Sequence, residues 1–187
     1  MNKSGLGAKI DVEIKKHTPI IKSVWDVICT DKFGVEKWKK HQENIVTDQG
    51  LAALLDIMFL DATKISSWYV ALLEAGSSAD SASTYAVPKY TECTTYTEGI
   101  RPTYVGVRSS LEITNNASKA VFTMNSAKSL IGGSLVGGGT DGSTVGNKLG
   151  GGTLYCSIDF DEPGSAVETD IISIAITLVA ADIPPAP

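Results

Sequence analysis

His17 and His41 are the only two histidines in the 187-residue chain, so any general base has few places to come from. No Gly-X-Ser-X-Gly elbow occurs, and a Ser/His/Asp relay would have to borrow its base from the N-terminal stretch. The three cysteines, Cys29, Cys93 and Cys156, are far apart and odd in number, which suits neither a metal motif nor a disulfide framework. Cys93 lies among polar residues, but no helix N-terminus or fixed cation is evident to stabilise its thiolate; it reads as a plain buried or half-buried thiol. Asp159, Asp161 and Glu162 could offer oxygen ligands to calcium, yet their spacing fits no defined loop and favours an acidic turn. The glycine-rich run from Gly142 to Lys148 lacks the Gly-Lys-Ser/Thr ending that cradles phosphate. Asn116-Ala117-Ser118 matches a glycosylation acceptor and, with no leader evident, reads as a turn. These residues therefore nominate no catalytic group, no metal site and no cofactor.

The aromatic residues are the remaining candidates. Tyr85, Tyr90, Tyr96 and Tyr104 sit among Thr and Glu in a segment where Pro88 and Pro102 limit regular structure. Such a surface suits a protein interface, because aromatic rings bury much area at little entropic cost. It would also suit sugar stacking, or rings wedged along a sandwich edge with their hydroxyls in water. Trp25 and Trp38 flank the turn Asp31-Lys32-Phe33-Gly34 and are expected to pair across a hairpin. Trp25, Trp38, Tyr90 and Tyr96 are thus the candidate partner-binding residues.

The elements that must position these residues read mainly as strands. Lys9–Lys15 alternates strictly, with Ile10, Val12 and Ile14 on one side. Pro19 interrupts; Val24–Thr30 and Val35–His41 then form the hairpin, with Gly34 free to take positive φ. Thr47 caps a helix, Asp48 suits its dipole, and Val46 with Leu51 can staple the cap. Leu51, Leu54, Leu55 and Met58 recur at helical spacing as the face expected to lie on a sheet. Trp68–Leu73 is apolar on both faces, as in a strand with material on each side. Leu111–Met124 reads as a hairpin turning at Asn115–Ser118. Ser129–Val136 is a strand weakened by Gly132 and Gly133, and the segment 132–152 reads as a long surface loop unable to order itself. Leu154, Cys156, Ile158 and Phe160 share a face; a turn at Glu162-Pro163-Gly164 follows, then a last strand with Ile172, Ile174, Ile176, Leu178 and Ala180 on one side.

This rhythm of strands with a single helix predicts a mainly β chain, a jelly-roll-like β-sandwich with an extended N-terminal arm. The arm spans residues 1–44 and the body 45–187. The formal charge is −5. Nine lysines against six acids make the first 44 residues basic, whereas the rest is acidic. The arm suits either an acidic partner or a solvated tail, and the acidic body disfavours nucleic acid. The longest apolar run, Ile171–Ala181, is too short to cross a bilayer as a helix. With no apolar run after Lys3, no secretory signal is expected, and the protein is expected to be made in a cytoplasm.

Several stretches together carry a resemblance: Asn44-Ile45-Val46-Thr47, Gly50-Leu51, Leu54-Leu55, Trp68-Tyr69-Val70-Ala71-Leu72, Tyr90-Thr91-Glu92, Tyr96, Arg101-Pro102, Ala120-Val121-Phe122-Thr123 and Gly152-Thr153-Leu154-Tyr155. The pattern resembles a family of small virion structural proteins of tailed bacteriophages, some of which decorate or cement the capsid. The resemblance implies a non-enzymatic β-sandwich, located in the virion, that forms a homo-oligomer and bridges neighbouring subunits of a major capsid protein or another virion protein. It supplies no active-site residues. In that role the arm would lie across an adjacent subunit. The alternative is a carbohydrate-binding or tail-associated β-sandwich module for host recognition, built on the tyrosine-rich segment.

Overall fold

The computed structural model describes residues 18–76 and 79–183, which form two antiparallel sheets and one helix. Elements are numbered in chain order. The six-stranded sheet runs β2 (Glu36–Ile45), β1 (Thr18–Thr30), β10 (Ile171–Ile183), β6 (Glu112–Thr114), β5 (Val107–Ser109), with β7 (Ala120–Thr123) also paired to β10. The four-stranded sheet runs β4 (Tyr90–Glu92), β3 (Trp68–Gly76), β8 (Lys128–Gly137), β9 (Thr153–Ala166). Helix α1 (Asp48–Phe59) links the two sheets between β2 and β3. The chain is therefore a mainly β sandwich with one short helix, as the strand rhythm predicts.

Period-two alternation sets the core. Trp25, Val27 and Cys29 of β1 and Ile172, Ile174 and Ile176 of β10 point inward against Val70, Leu72, Leu135, Cys156 and Ile158 of the facing sheet. On the outer face of the four-stranded sheet, Leu73, Val136 and Leu154 are covered by Tyr85 and Tyr90. This second cover explains why β3 is apolar on both sides.

The N-terminal hairpin is no appendage. β1 pairs with β10 from Thr18↔Ile183 to Thr30↔Ile171 and with β2 on its other side, so it is an interior strand of its sheet. Pro19 lies inside β1 rather than ending a strand, at a point beyond the pairing with β2, which begins at Lys22. The turn is as expected: Gly34 takes φ +83°, and Asp31 Oδ1 accepts from the amides of Phe33 (2.8 Å) and Val35 (2.9 Å). Trp25 and Trp38 do not pair, because the register sets Trp25 opposite Gln42 and Trp38 opposite Cys29. The alternating stretch Lys9–Lys15 lies outside the described residues.

Three further expectations are corrected. β6 and β7 do not form a hairpin with each other; both lie along β10, at Thr177–Val179 and Ile171–Ile174 respectively. Buried Asn115 bridges the gap between them, donating to Ile174 O (3.2 Å) and accepting from the Ile176 amide (2.6 Å), as a ladder residue would. β9 runs through Glu162-Pro163-Gly164 without turning. Its register against β8 jumps from Gly132↔Asp159 to Leu130↔Gly164, so Pro163 falls in a bulge, where no ladder bond is needed. Finally, Gly132 and Gly133 do not weaken β8. A Cβ on Gly132 would lie 2.0 Å from Ile158 O, and one on Gly133 would lie 2.8 Å from the Trp25 ring. Glycine is what lets β9 and the largest core side chain come this close.

Candidate functional site

Helix α1 begins at a dense set of fixed polar contacts. Thr47 Oγ1 accepts from the Gly50 amide (3.0 Å) and donates to Leu154 O (2.5 Å), and the Thr47 amide donates to Tyr155 O (2.9 Å). The Asp48 amide donates to Ser81 O, and Gln49 Oε1 accepts from the amides of Tyr85 and Leu154. Gly50 is buried so tightly on β9 that a Cβ there would stand 2.5 Å from Tyr155 O. That contact chooses which side of the helix faces the body.

The side turned inward is Gly50, Ala53, Leu54 and Ile57, of which Leu54 packs on the core. Of the expected stripe, Leu54 does face the core, whereas Leu51, Leu55 and Met58 are exposed. The helix carries two apolar stripes, and the one with glycine wins because only glycine permits the close approach. Together with Phe59 and Leu60 (72% and 73% exposed), Leu55 and Met58 form an apolar ridge standing in water on a rigidly anchored helix. A helix apolar nearly all round is normally buried, and a large exposed apolar patch marks an interaction surface. Beside the helix, an apolar trough of about 280 Å3 opens between Leu54, Trp68 and Tyr104 on one side and Ile21, Ile113 and Leu178 on the other.

The four residues nominated from the sequence are not brought together. Trp25 is fully buried (0% exposed), with its indole N–H donating to Ser23 Oγ at 2.9 Å. Trp38 is half-buried on β2, tilted against Phe160 at 6.1 Å, covering Gly164 and donating to Ser165 O. Tyr90 is buried with its hydroxyl 2.9 Å from Ser134 Oγ, and Tyr96 is buried edge-on to Phe122 at 4.9 Å. All four serve the fold, and a platform for sugar made of Tyr85, Tyr90 and Tyr96 is not presented, since these rings are covered. The ridge was missed because its spacing was read as core; the signal lay in Gly50 and in the unbroken apolar run Ile57–Leu60.

The charged groups are likewise drawn into structure. Arg101 and Glu92, each 3% exposed at the side chain, form a two-point pair at 2.6 and 2.8 Å. Arg101 also donates to Gly142 O, Asn147 O and Tyr85 Oη, and Glu92 accepts from the Gly146 amide. This pair ties down the glycine-rich loop, correcting the expectation of a loop unable to order itself. Lys37 reaches buried Asp170 at 2.5 Å, and this hydrogen bond holds the ammonium above its ordinary pKa. Lys22 pairs with Glu43, and His41 Nδ1 lies 2.8 Å from Asp26 Oδ1 at the surface, so much of the basic charge of the hairpin is matched. The thiols are buried, and loss of hydration raises the pKa of Cys29 to about 11 and of Cys156 to about 12. Among the described residues no group of three His, Cys, Asp or Glu side chains could hold a metal ion, and no helix is long and apolar enough to cross a membrane. Comparison of the chain with family models, curated proteins and solved structures finds no match.

Proposed function

We propose that this protein is a non-enzymatic virion structural protein that docks the apolar ridge of α1 onto a capsid or other virion protein and so bridges neighbouring subunits. The observation that carries the reading is the ridge itself: Leu55, Met58, Phe59 and Leu60 stand exposed on a helix whose start is pinned to β9 and to Ser81. A pre-organised apolar surface loses little freedom on binding, so most of its burial counts toward affinity. The resemblance to phage decoration proteins supplies the class of partner. The mechanism differs from an arm reaching across a neighbour, because residues 18–45 belong to the six-stranded sheet. Several copies on one shell, singly or as a homo-oligomer, would make modest individual contacts long-lived.

The test is co-sedimentation with shells purified without this protein. Changing Leu55, Met58 and Phe59 together to Ser is expected to weaken binding by at least about 30-fold, since central apolar anchors each contribute roughly 2 kcal/mol or more. Folding should change little, because these side chains already stand in water. Unchanged binding by a folded triple variant would overturn the assignment of the ridge, and no binding by the unaltered protein would overturn the function.

A further inference from the structure

The cations of the sandwich are unevenly served by acids. Lys22, Lys37, Lys89, Lys128 and Arg101 are each held by a carboxylate. Lys39, Lys40 and Lys119 have no ion-pair partner among the described residues, yet the fold brings them together. They line a hollow of about 550 Å3 with Asp26 and Ile28 of β1 and His41 of β2; Lys119 enters it from the turn before β7. Among the described residues Asp26 is the one acid that lines it, and its Oδ1 is engaged with His41 Nδ1. Ammonium groups gathered around one hollow repel each other, and an acidic group laid among them turns that repulsion into attraction. The same chain carries a knob of the opposite charge. Between the pairs Gly132↔Asp159 and Leu130↔Gly164, β9 advances five residues (159 to 164) while β8 advances two (132 to 130), so extra backbone bulges from the ladder. Asp161, Glu162 and Pro163 are exposed on this bulge, and neither carboxylate has an ion-pair partner among the described residues. Pro163 fixes φ within it, and Trp38 Nε1 holds its base by donating to Ser165 O at 2.8 Å.

We propose that the hollow of one copy receives the Asp161–Glu162 knob of a second copy, so that the protein associates head to tail. Convex meets concave, and two carboxylates enter among three ammonium groups. The two surfaces are different ones: β1 and β2 of the six-stranded sheet line the hollow, whereas the knob belongs to the four-stranded sheet. The contact is therefore heterologous, and a run of copies closes into a ring where the rotation per copy allows it. Exposed ion pairs are each worth only a factor of roughly 1.5–5 in affinity, so the association is weak in dilute solution. Copies gathered on one assembly meet at high effective concentration, where such a contact suffices. The inference stands apart from the docking role, since the ridge of Leu55, Met58 and Phe59 is a separate surface.

The test is sedimentation velocity of the full chain, without shells, over a range of concentrations at about 20 mM and about 0.5 M salt. The unaltered protein should self-associate at low salt and dissociate at high salt, where exposed charges are screened. A hollow variant (Lys39→Glu with Lys119→Glu) and a knob variant (Asp161→Lys with Glu162→Lys) should each associate at least about 10-fold more weakly, since attraction becomes repulsion. All four side chains are exposed, so both variants should fold, and glutamate keeps charge on the edge of β2. Mixed in equal amounts, the two variants should regain association, because a reversed hollow then meets a reversed knob. An unaltered protein that stays monomeric at every concentration overturns the proposal. So does association undiminished in either variant, or not restored on mixing. The chain with Leu55, Met58 and Phe59 changed to Ser should associate as the unaltered one does; loss there would assign self-association to the ridge and overturn the proposal.

Discussion

At the scale of single residues, the strongest constraint in the molecule is the pair between Arg101 and Glu92. Both charges lie almost out of water, and apart from the bond from Arg101 to Tyr85 Oη both direct their remaining hydrogen bonds to the loop between β8 and β9. Removing one member leaves the other buried and uncompensated, which costs about 3–5 kcal/mol. Arg101→Met should therefore lower the denaturant midpoint sharply and open residues 138–152 to limited proteolysis; Arg101→Lys should rescue little, because one ammonium cannot span both carboxylate oxygens. The buried thiols and Tyr90 make a different prediction. Burial raises Cys29 to about 11, and Cys156 and Tyr90 to about 12, so the native state favours their neutral forms. The stabilisation is complete below their unfolded values of 9.0 and 10.0 and is lost as pH rises through 11–12. Melting temperature should accordingly fall steeply above about pH 9 in these groups' window, and a chain carrying Cys29→Ala and Cys156→Ala should fall less steeply from its own neutral-pH value.

At the scale of elements, glycine decides where pieces meet. Gly50→Ala forces a methyl into the Tyr155 carbonyl, so α1 must lift from β9 at a cost of about 1–3 kcal/mol. Thr47→Ala removes the cap and the bond to Leu154 O, costing about 1–2 kcal/mol. Circular dichroism and urea unfolding of each variant check these values. Gly133→Val should be worse, because it competes for space with the Trp25 ring, and the indole fluorescence should report the displacement. Much of this architecture was legible: the Thr47 cap, the Gly34 turn, the two-sided β3, and the inward faces of β9 and β10 all follow from local pattern. What was not legible depends on long-range partners. Alternation in Leu111–Met124 correctly signals extended chain but cannot say that both halves pair with β10 through Asn115. Pro163 ends most strands, yet a bulge accommodates it. Spacing alone could not choose between the two stripes of α1, because the choice rests on a backbone contact more than a hundred residues away in sequence. The candidate site was legible least of all, since Trp25, Tyr90 and Tyr96 are aromatic for packing rather than for partners.

At the scale of the molecule, the first strand in the described residues and the last one are neighbours, and the sandwich depends on their pairing. β1 lies between β2 and β10 and sends Trp25, Val27 and Cys29 into the core. An arm attached to a self-sufficient body could be deleted without harm, whereas an interior strand cannot. Deleting residues 1–40 would remove all of β1 and half of β2, expose the edge of β10 and empty a Trp-sized volume opposite Gly133. Large-to-small changes at single core positions cost about 2–5 kcal/mol, against a total stability of roughly 5–15 kcal/mol, so three such losses exceed what the fold can bear. The truncated chain should show no cooperative melt and no dispersed near-ultraviolet signal. Deleting only residues 1–17 removes none of the described strands and should leave a single cooperative transition. The lysines of β2 also acquire a role at this scale. β2 is the outermost strand of its sheet, and Lys37, Lys39 and Lys40 place charge along an edge that would otherwise invite pairing with another chain. Changing Lys39 and Lys40 to Val should leave the melting temperature within a few degrees while promoting aggregation measurable by light scattering; a triple Lys→Val variant including Lys37 should in addition lose stability, because it strands Asp170 without its cation.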